Sequence, residues 1–444
     1  MWLHPKKPKG KWHRKRIVFS VFLLSFLFAG PHIRIGGEPL LLFNIIERKF
    51  VLFGQVFWPH DFHLFAIAMI TAVVCITLFT VIFGRLFCGW ACPQTVFMEM
   101  VFRKIEYLIE GDWTHQKRLK KAPWGANKIL KKTLKHAIFW GISFLIANTF
   151  LAYIIGSKAL WKIQTDSPSE HVVGLISLAV FTTLFYLVFA KLREQVCTTI
   201  CPYGRLQGVL LDQNSLVVAY DRKRGEARSK IRKGEDRAAG GKGSCIDCFQ
   251  CVHVCPTGID IRNGTQLECT NCTACIDVCD DMMEKVGQET GLIKYASENN
   301  IPWGRKFRWS TKVKSYSFLL LGLIGLLVYL IATRSDFEAT IFRQRGTTVR
   351  KFSPSEYSNT YDFSLVNKTN EDQEFEFELL DGAGKVVVLG TDNKLPKQGI
   401  LKGKFLIVVD RDDVKPRSNK ITIGVKSEGE IIEKVKLTFM GPLL

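Results

Sequence analysis

Five stretches of the chain are apolar over lengths that suit a bilayer: residues 17–33, 62–87, 134–155, 172–190 and 316–333. A helix needs about 20 apolar residues at ~1.5 Å each to cross the hydrocarbon, so each stretch predicts a transmembrane helix. Residues 39–57 are apolar too, but Asn44, Glu47, Arg48 and Lys49 interrupt them, which predicts an interfacial or re-entrant segment. Beyond the last stretch the period changes. Runs at 361–366, 374–379, 404–409, 420–425 and 431–439 alternate between apolar and polar, with turn-forming breaks at Asp381 and Gly382, Asp392 and Asn393, and Glu428 and Gly429. Such alternation predicts an all-β sandwich of about seven strands over 337–444. Residues 221–244 are basic and nearly free of large apolar side chains, the composition of a flexible linker or of a strip lying on anionic lipid.

Charge gives the spans a direction. Hydrophobic residues make up 47% of the chain, yet the net charge is +20. Basic loops between apolar spans combine the two naturally, whereas a nucleic-acid-binding protein would gather its charge on one soluble face. The first 16 residues carry Lys6, Lys7, Lys9, Lys11, Arg14, Lys15 and Arg16; the loops after the second and fourth spans are again heavily basic, and those after the first and third are not. The alternation places the N-terminus inside and the C-terminus outside. The first span also has the basic start and apolar middle of a cleavable leader, and the later loops keep their sides in either case.

Of 13 cysteines, eight lie between Cys245 and Cys279. Residues 245–256 read CIDCFQCVHVCP and residues 269–279 read CTNCTACIDVC, so C-x2-C-x2-C-x3-C occurs twice. A cubane cluster takes three thiolates from one tight loop and the fourth from the other motif. The spacing therefore predicts two [4Fe–4S] clusters, one on Cys245, Cys248, Cys251 and Cys279, the other on Cys269, Cys272, Cys275 and Cys255. Paired C-x2-C also binds zinc, but two complete motifs with Pro256 after the first favour clusters. Asp280 stands where a second proline often follows. These residues predict a compact ferredoxin-like domain over 245–300 on the cytoplasmic side, where thiols stay reduced.

A second repeat reads CGWACP at 88–93 and CTTICP at 197–202. Each C-x3-C-P falls at the inner end of a span, with the i, i+4 cysteines on one helix face until Pro93 or Pro202 ends the helix. Four soft thiols in one layer suit Cu(I) binding, another cofactor, or a dithiol/disulfide relay; cysteines are also simply small apolar residues near helix ends. His32, His60, His63 and His171 fall near outer span ends. Of these, His60 and His63 are the better candidates for a metal or a quinol, although histidine is common at a wet interface. His253, inside the first cluster motif, suggests tuning of the cluster environment. Trp58, Trp140, Trp161 and Trp309 read as interface anchors.

The segments GRLFCGWACPQTVFMEM, CTTICPYGRLQGVLLD and YDRKRGEAR, in order around the cluster motifs, resemble the CcoG/FixG/RdxA family of accessory proteins of cbb3-type cytochrome c oxidase. The resemblance covers essentially the whole chain. It implies a multi-domain inner-membrane protein with four spans in 1–220, a linker at 221–244, a cytoplasmic bacterial-type two-cluster ferredoxin domain, a fifth span and a periplasmic immunoglobulin-like sandwich. It also implies reduction of Cu(II) to Cu(I) for oxidase maturation, with oxidase assembly factors or a copper chaperone as partners. The eight clustered cysteines carry over as cluster ligands; Cys88, Cys92, Cys197 and Cys201 match membrane-edge motifs whose chemical role the match does not give. The alternatives are a quinol-linked electron conduit to a partner enzyme and an assembly scaffold with structural clusters.

Overall fold

The computed structural model describes the chain except residues 1–2, 36–37, 46–48, 53, 58–60, 233–236, 238–239, 304–308, 336, 345–348, 370, 382–383, 391–392, 428 and 443–444. Two compact units, Met1–Val328 and Tyr329–Leu444, are described separately.

Helices Phe62–Phe83, Ala126–Ile155, Val172–Leu192 and Thr311–Ala332 are long and apolar enough to cross a membrane. Several hydroxyls inside them bond the carbonyl one turn back, as Thr71 does to Ile67 (2.7 Å) and Thr80 to Ile76 (2.8 Å), which satisfies those donors within their own helix. The first expected span differs in composition. Its helix is Lys11–Ala29, and only residues 17–29 are apolar, about 20 Å of rise. It still runs the length of the bundle. At its start the backbone N–H groups of Trp12 and His13 donate to Asp277 of the cluster domain (3.0 and 2.7 Å); at its end Tyr153, near the far end of Ala126–Ile155, donates to Leu27 O (2.9 Å). Of its charged first turns, Arg16 is buried and donates to Gly89 O (2.7 Å), while Lys11, Arg14 and Lys15 stay exposed.

Buried ion pairs tie the helices at the cluster end. Arg193 donates twice to Glu106 (3.0 and 2.6 Å). Lys135 and Lys132 converge on Glu110 (2.9 and 2.8 Å), and Arg103 pairs with Glu99 and Glu194. Phe102, stacked on Phe189 at 4.4 Å and edge-on to Phe139 at 4.8 Å, packs beneath them.

Three sequence expectations change. The stretch 62–87 is not one helix: it stops at Phe83, Gly84 takes φ 57°, and a short helix restarts at Leu86–Trp90. The 39–57 segment is an antiparallel meander, Leu41–Asn44, Lys49–Leu52 and Gln55–Phe57, because its polar breaks fall at strand ends. The 221–244 segment, where described, is no free linker. Arg224 donates to the carbonyls of Thr290 and Glu289. Buried Arg237 donates to the carbonyls of Gly243 and Cys245. Strand Val217–Tyr220, ahead of it, pairs with Ile293–Ala296, so the cluster domain is closed by a ribbon that begins well before Cys245.

The second unit is a sandwich. One sheet runs Gly384–Leu389, Ile400–Asp410, Glu356–Asn367, Phe337–Arg343, with Arg350–Ser353 also on Glu356–Asn367; the other runs Glu376–Leu379, Ser418–Ser427, Glu430–Met440. Period-2 residues from both, including Tyr361, Phe363, Phe405, Ile423, Val425 and Phe439, fill the interior. Tyr361 stands opposite Phe405 in register, and its hydroxyl crosses to Thr438 O (2.9 Å). Of the expected turns, Gly382, Asp392 and Glu428 lie outside the described residues.

Replacing Arg193 by Met leaves Glu106 a buried carboxylate without its main partner, and truncating a buried pair costs about 3–5 kcal/mol. The expected result is a large drop in the thermal midpoint of the full chain in detergent, and a smaller one for E106Q/R193M; equal drops would contradict this account of the pair.

Candidate metal centre

The two cluster motifs have one backbone shape. In the first, Asp247 and Phe249 take φ 53° and 56°; in the second, Asn271 and Thr273 at the same motif positions take 54° and 65°. Non-glycine residues rarely adopt this left-handed region. Here it turns the chain around each middle cysteine and aims successive N–H groups into a concavity suited to an anion. Helices Gln250–Val254 and Ala274–Lys285 then start one residue before the third cysteine of each motif.

The fold brings the fourth cysteine across. Cys255, the C-cap of Gln250–Val254, lines one cavity with Cys269, Cys272, Cys275 and Cys251. Cys279 lies within Coulombic reach of Cys251, Cys245 and Cys248. Burial pushes the Cys251, Cys269 and Cys279 thiols up to about 12. Such thiols are poor bare anions and become thiolates only beside a cation, so the donor set fits two four-sulfur iron clusters. Arg262, buried between Asp247 (2.6 Å) and Asp260 (2.7 Å) and 4.2 Å from the Phe249 ring, braces the first motif. The His253 ring stacks on Trp113 at 5.0 Å, so it packs the domain against helix Trp113–Lys121.

The C-x3-C-P segments also share one shape. Gly84 (φ 57°, ψ −131°) and Arg193 (φ 51°, ψ −123°) break their helices four residues ahead of Cys88 and Cys197. Cys92 and Cys201 are extended N-caps ahead of Pro93 and Pro202, and their N–H groups bond Phe87 O (2.9 Å) and Val196 O (2.8 Å), five residues back. The cysteines of a pair therefore do not share one α-helical face: the proline forces its predecessor out of helical conformation. The segments face each other. Arg85 donates to Gln207 Oε1 (3.2 Å) and to Gly204 O, the Cys88 thiol lies 3.0 Å from Gln207 Oε1, and Gln94 donates to Arg193 O (3.4 Å). Burial pushes Cys88 up to about 11 and Cys197 to about 12.

Both segments lie beside the second cluster motif. A Cβ on Gly89 would fall 2.3 Å from Thr270 O and 2.9 Å from Asn271 O, and Cys197 lines one cavity with Pro256, Thr257 and Thr270. Nothing in the local pattern marks Gly89 or Asp277: each matters only through its partner in another segment. The histidines stay apart from this centre. His63 and His32 are exposed, His171 pairs with Asp166 (3.3 Å) at an exposed group with Glu170, and His60 and Trp58 lie outside the described residues. Trp140, Trp161 and Trp309 are exposed, as interface anchors would be. Cys75 is exposed on its helix.

Comparison with known proteins follows this partition. A 4Fe-4S dicluster domain matches residues 192–298, a 4Fe-4S binding domain matches 65–121, and the Ig-like fold found at the C-terminus of FixG matches 327–442. The 65–121 match contains Cys75, Cys88 and Cys92 alone. Protein RdxA of Cereibacter sphaeroides is 34% identical over 391 residues, 84% of this chain and 80% of that one. RdxB of the same organism is 33% identical over 395 residues, 85% and 82%. The nitrogen fixation protein FixG of Rhizobium meliloti is 37% identical over 302 residues, 66% and 57%.

Gly89→Ala should force the membrane-edge segment off the Thr270–Asn271 backbone. Overpacking of this kind costs about 1–3 kcal/mol, read as a lower thermal midpoint in detergent; an unchanged midpoint would show the contact to be loose.

Proposed function

This chain belongs to the FixG/RdxA family and is a membrane iron–sulfur protein of electron transport; we propose that it reduces Cu(II) to Cu(I) for maturation of a cbb3-type cytochrome c oxidase. Cys245, Cys248, Cys251 and Cys279 hold one [4Fe–4S] cluster, and Cys269, Cys272, Cys275 and Cys255 hold the other. When bound, the clusters supply one-electron carriers. The observation that carries the reading is the approach of the Gly89 backbone to the second motif, with Cys197 lining a cavity beside Thr270 of that motif.

Cys88, Cys92, Cys197 and Cys201 form the redox group on the acceptor side. Soft sulfur prefers Cu(I) to Cu(II) and so favours uptake of one electron by the metal. Arg85 and Arg16 hold the two thiol segments in place through Gly204 O and Gly89 O. The basic loops support an inner-membrane location with the N-terminus and clusters on the cytoplasmic side and the sandwich in the periplasm. There the sandwich, without a cysteine or histidine, is suited to docking an oxidase assembly factor or a copper chaperone.

A quinol donor is the second reading. It is favoured by an apolar cavity of about 410 Å³ beside the second motif, lined by Trp12, Phe19, Phe83, Phe87, Trp90 and Tyr295 among others.

Anaerobic, cluster-loaded protein reduced with dithionite and mixed with Cu(II) and a Cu(I)-specific chelator should form Cu(I) one-for-one with the electrons its clusters lose. C88S/C92S/C197S/C201S should abolish Cu(I) formation while both ferredoxin clusters remain. Clusters that stay reduced beside Cu(II) would end the copper reading, and quinone-dependent turnover indifferent to copper would put the quinol conduit in its place. Cys255→Ser and Cys279→Ser should each remove a different cluster's EPR signal; loss of the same one in both would contradict the crossed ligation.

A further inference from the structure

We propose that Cys88, Cys92, Cys197 and Cys201 are the four ligands of a third [4Fe–4S] cluster. This rests on reading the chain as an electron carrier and does not need copper as its acceptor. The two C-x3-C-P segments are one structure built twice, with matching helix breaks at Gly84 and Arg193, matching extended cysteines before proline and matching backbone bonds five residues back. They meet face to face, so each pair completes what the other lacks. Cys88 lies within Coulombic reach of Cys92 and Cys201, and Cys197 within reach of Cys92, Cys88 and Cys201. All four are free thiols and none is exposed.

The spacing selects the ligand. A single ion holds thiolates at about 2.3 Å, which puts tetrahedral sulfurs about 3.8 Å from one another. Among the described residues, the one group with three ligand atoms mutually within 4.8 Å is Asp166, Glu170 and His171; no three of these four sulfurs come that close. The same openness holds for the eight ferredoxin cysteines, whose sulfurs grip the corners of a cubane and not one ion. The segment at 65–121 cannot close a cubane by itself: beyond Cys88 and Cys92 it has only Cys75, exposed on its helix. The fold supplies the missing pair from Cys197 and Cys201.

Two neighbours suit an anionic cluster. Arg85 brings a buried guanidinium beside Cys88, anchored on Gln207 and Gly204. Gln207 is fully buried, and its amide nitrogen has no hydrogen-bond partner among the described residues, while its oxygen accepts from Arg85 Nε (3.2 Å). A buried unpaired donor costs about 1–3 kcal/mol, and a cluster sulfur next to Cys88 satisfies it. The approach of Gly89 to Thr270 and the cavity that Cys197 lines with Thr257 and Thr270 set this cluster beside the second ferredoxin cluster.

The test counts iron and acid-labile sulfide in the full chain, purified anaerobically in detergent and reconstituted with iron and sulfide. About twelve of each per chain are expected, four for each cubane, falling to about eight in C88S/C92S/C197S/C201S with both ferredoxin EPR signals retained. About eight in the wild type, unchanged in that variant, would overturn the proposal. If the quadruple variant fails to reach the membrane, Gln207→Leu serves: a count still near twelve with one altered EPR signal is expected, and three unaltered signals, or only two, would overturn the assignment. The copper reading fails separately: about twelve irons without Cu(II) reduction would remove copper and leave the third cluster, and about eight irons with reduction intact would do the reverse.

Discussion

The approach of the Gly89 backbone to the Thr270–Asn271 backbone is the constraint on which the redox architecture depends. A Cβ at residue 89 would lie 2.3 Å from a carbonyl oxygen that has a cluster-motif cysteine on one side. Glycine removes that clash and lets one end of a membrane bundle sit directly on an iron–sulfur domain. Arg16 then fixes the same peptide by bonding Gly89 O, and Trp12, one turn earlier, packs on Trp90 and Tyr295. Membrane thiols and cluster thiols thereby occupy one continuous body.

That body is built by doubling. The cluster motifs repeat each other down to their left-handed residues, and the C-x3-C-P segments repeat each other down to their helix breaks. Three cysteines on a tight loop leave a fourth position of a cubane open, which the other motif can fill, and the two membrane-edge segments likewise meet face to face. Polar support follows the same logic. Glu106, Glu110, Arg193 and Lys135 are held in a buried network, where each charge is tolerable only because an opposite one is beside it.

The function proposed here follows from adjacency more than from any single residue. Soft thiols at the membrane edge and a two-cluster domain are each common features. Their contact gives electrons held in the domain a short way to the membrane surface. The sandwich, rich in core aromatics such as Phe363, Phe377 and Phe405, adds a rigid unit without redox side chains.

Local pattern was enough for several features. The spacing of Cys245 to Cys279 specified clusters, because a cubane dictates which thiols one loop can offer. Apolar length specified four of the five expected membrane helices, because bilayer thickness is fixed, and period 2 specified the sandwich. The sequence could not show that the described part of 221–244 is bound down by Arg224 and Arg237, since their partners are backbone carbonyls that any residue carries. Nor could it show that Asp277 caps a helix starting at Lys11, that His253 stacks on Trp113, or that Cys88 and Cys197 belong to one group. Those are contacts between segments distant along the chain. Residue type and spacing set what a segment can bind; only the packed fold decides what it meets.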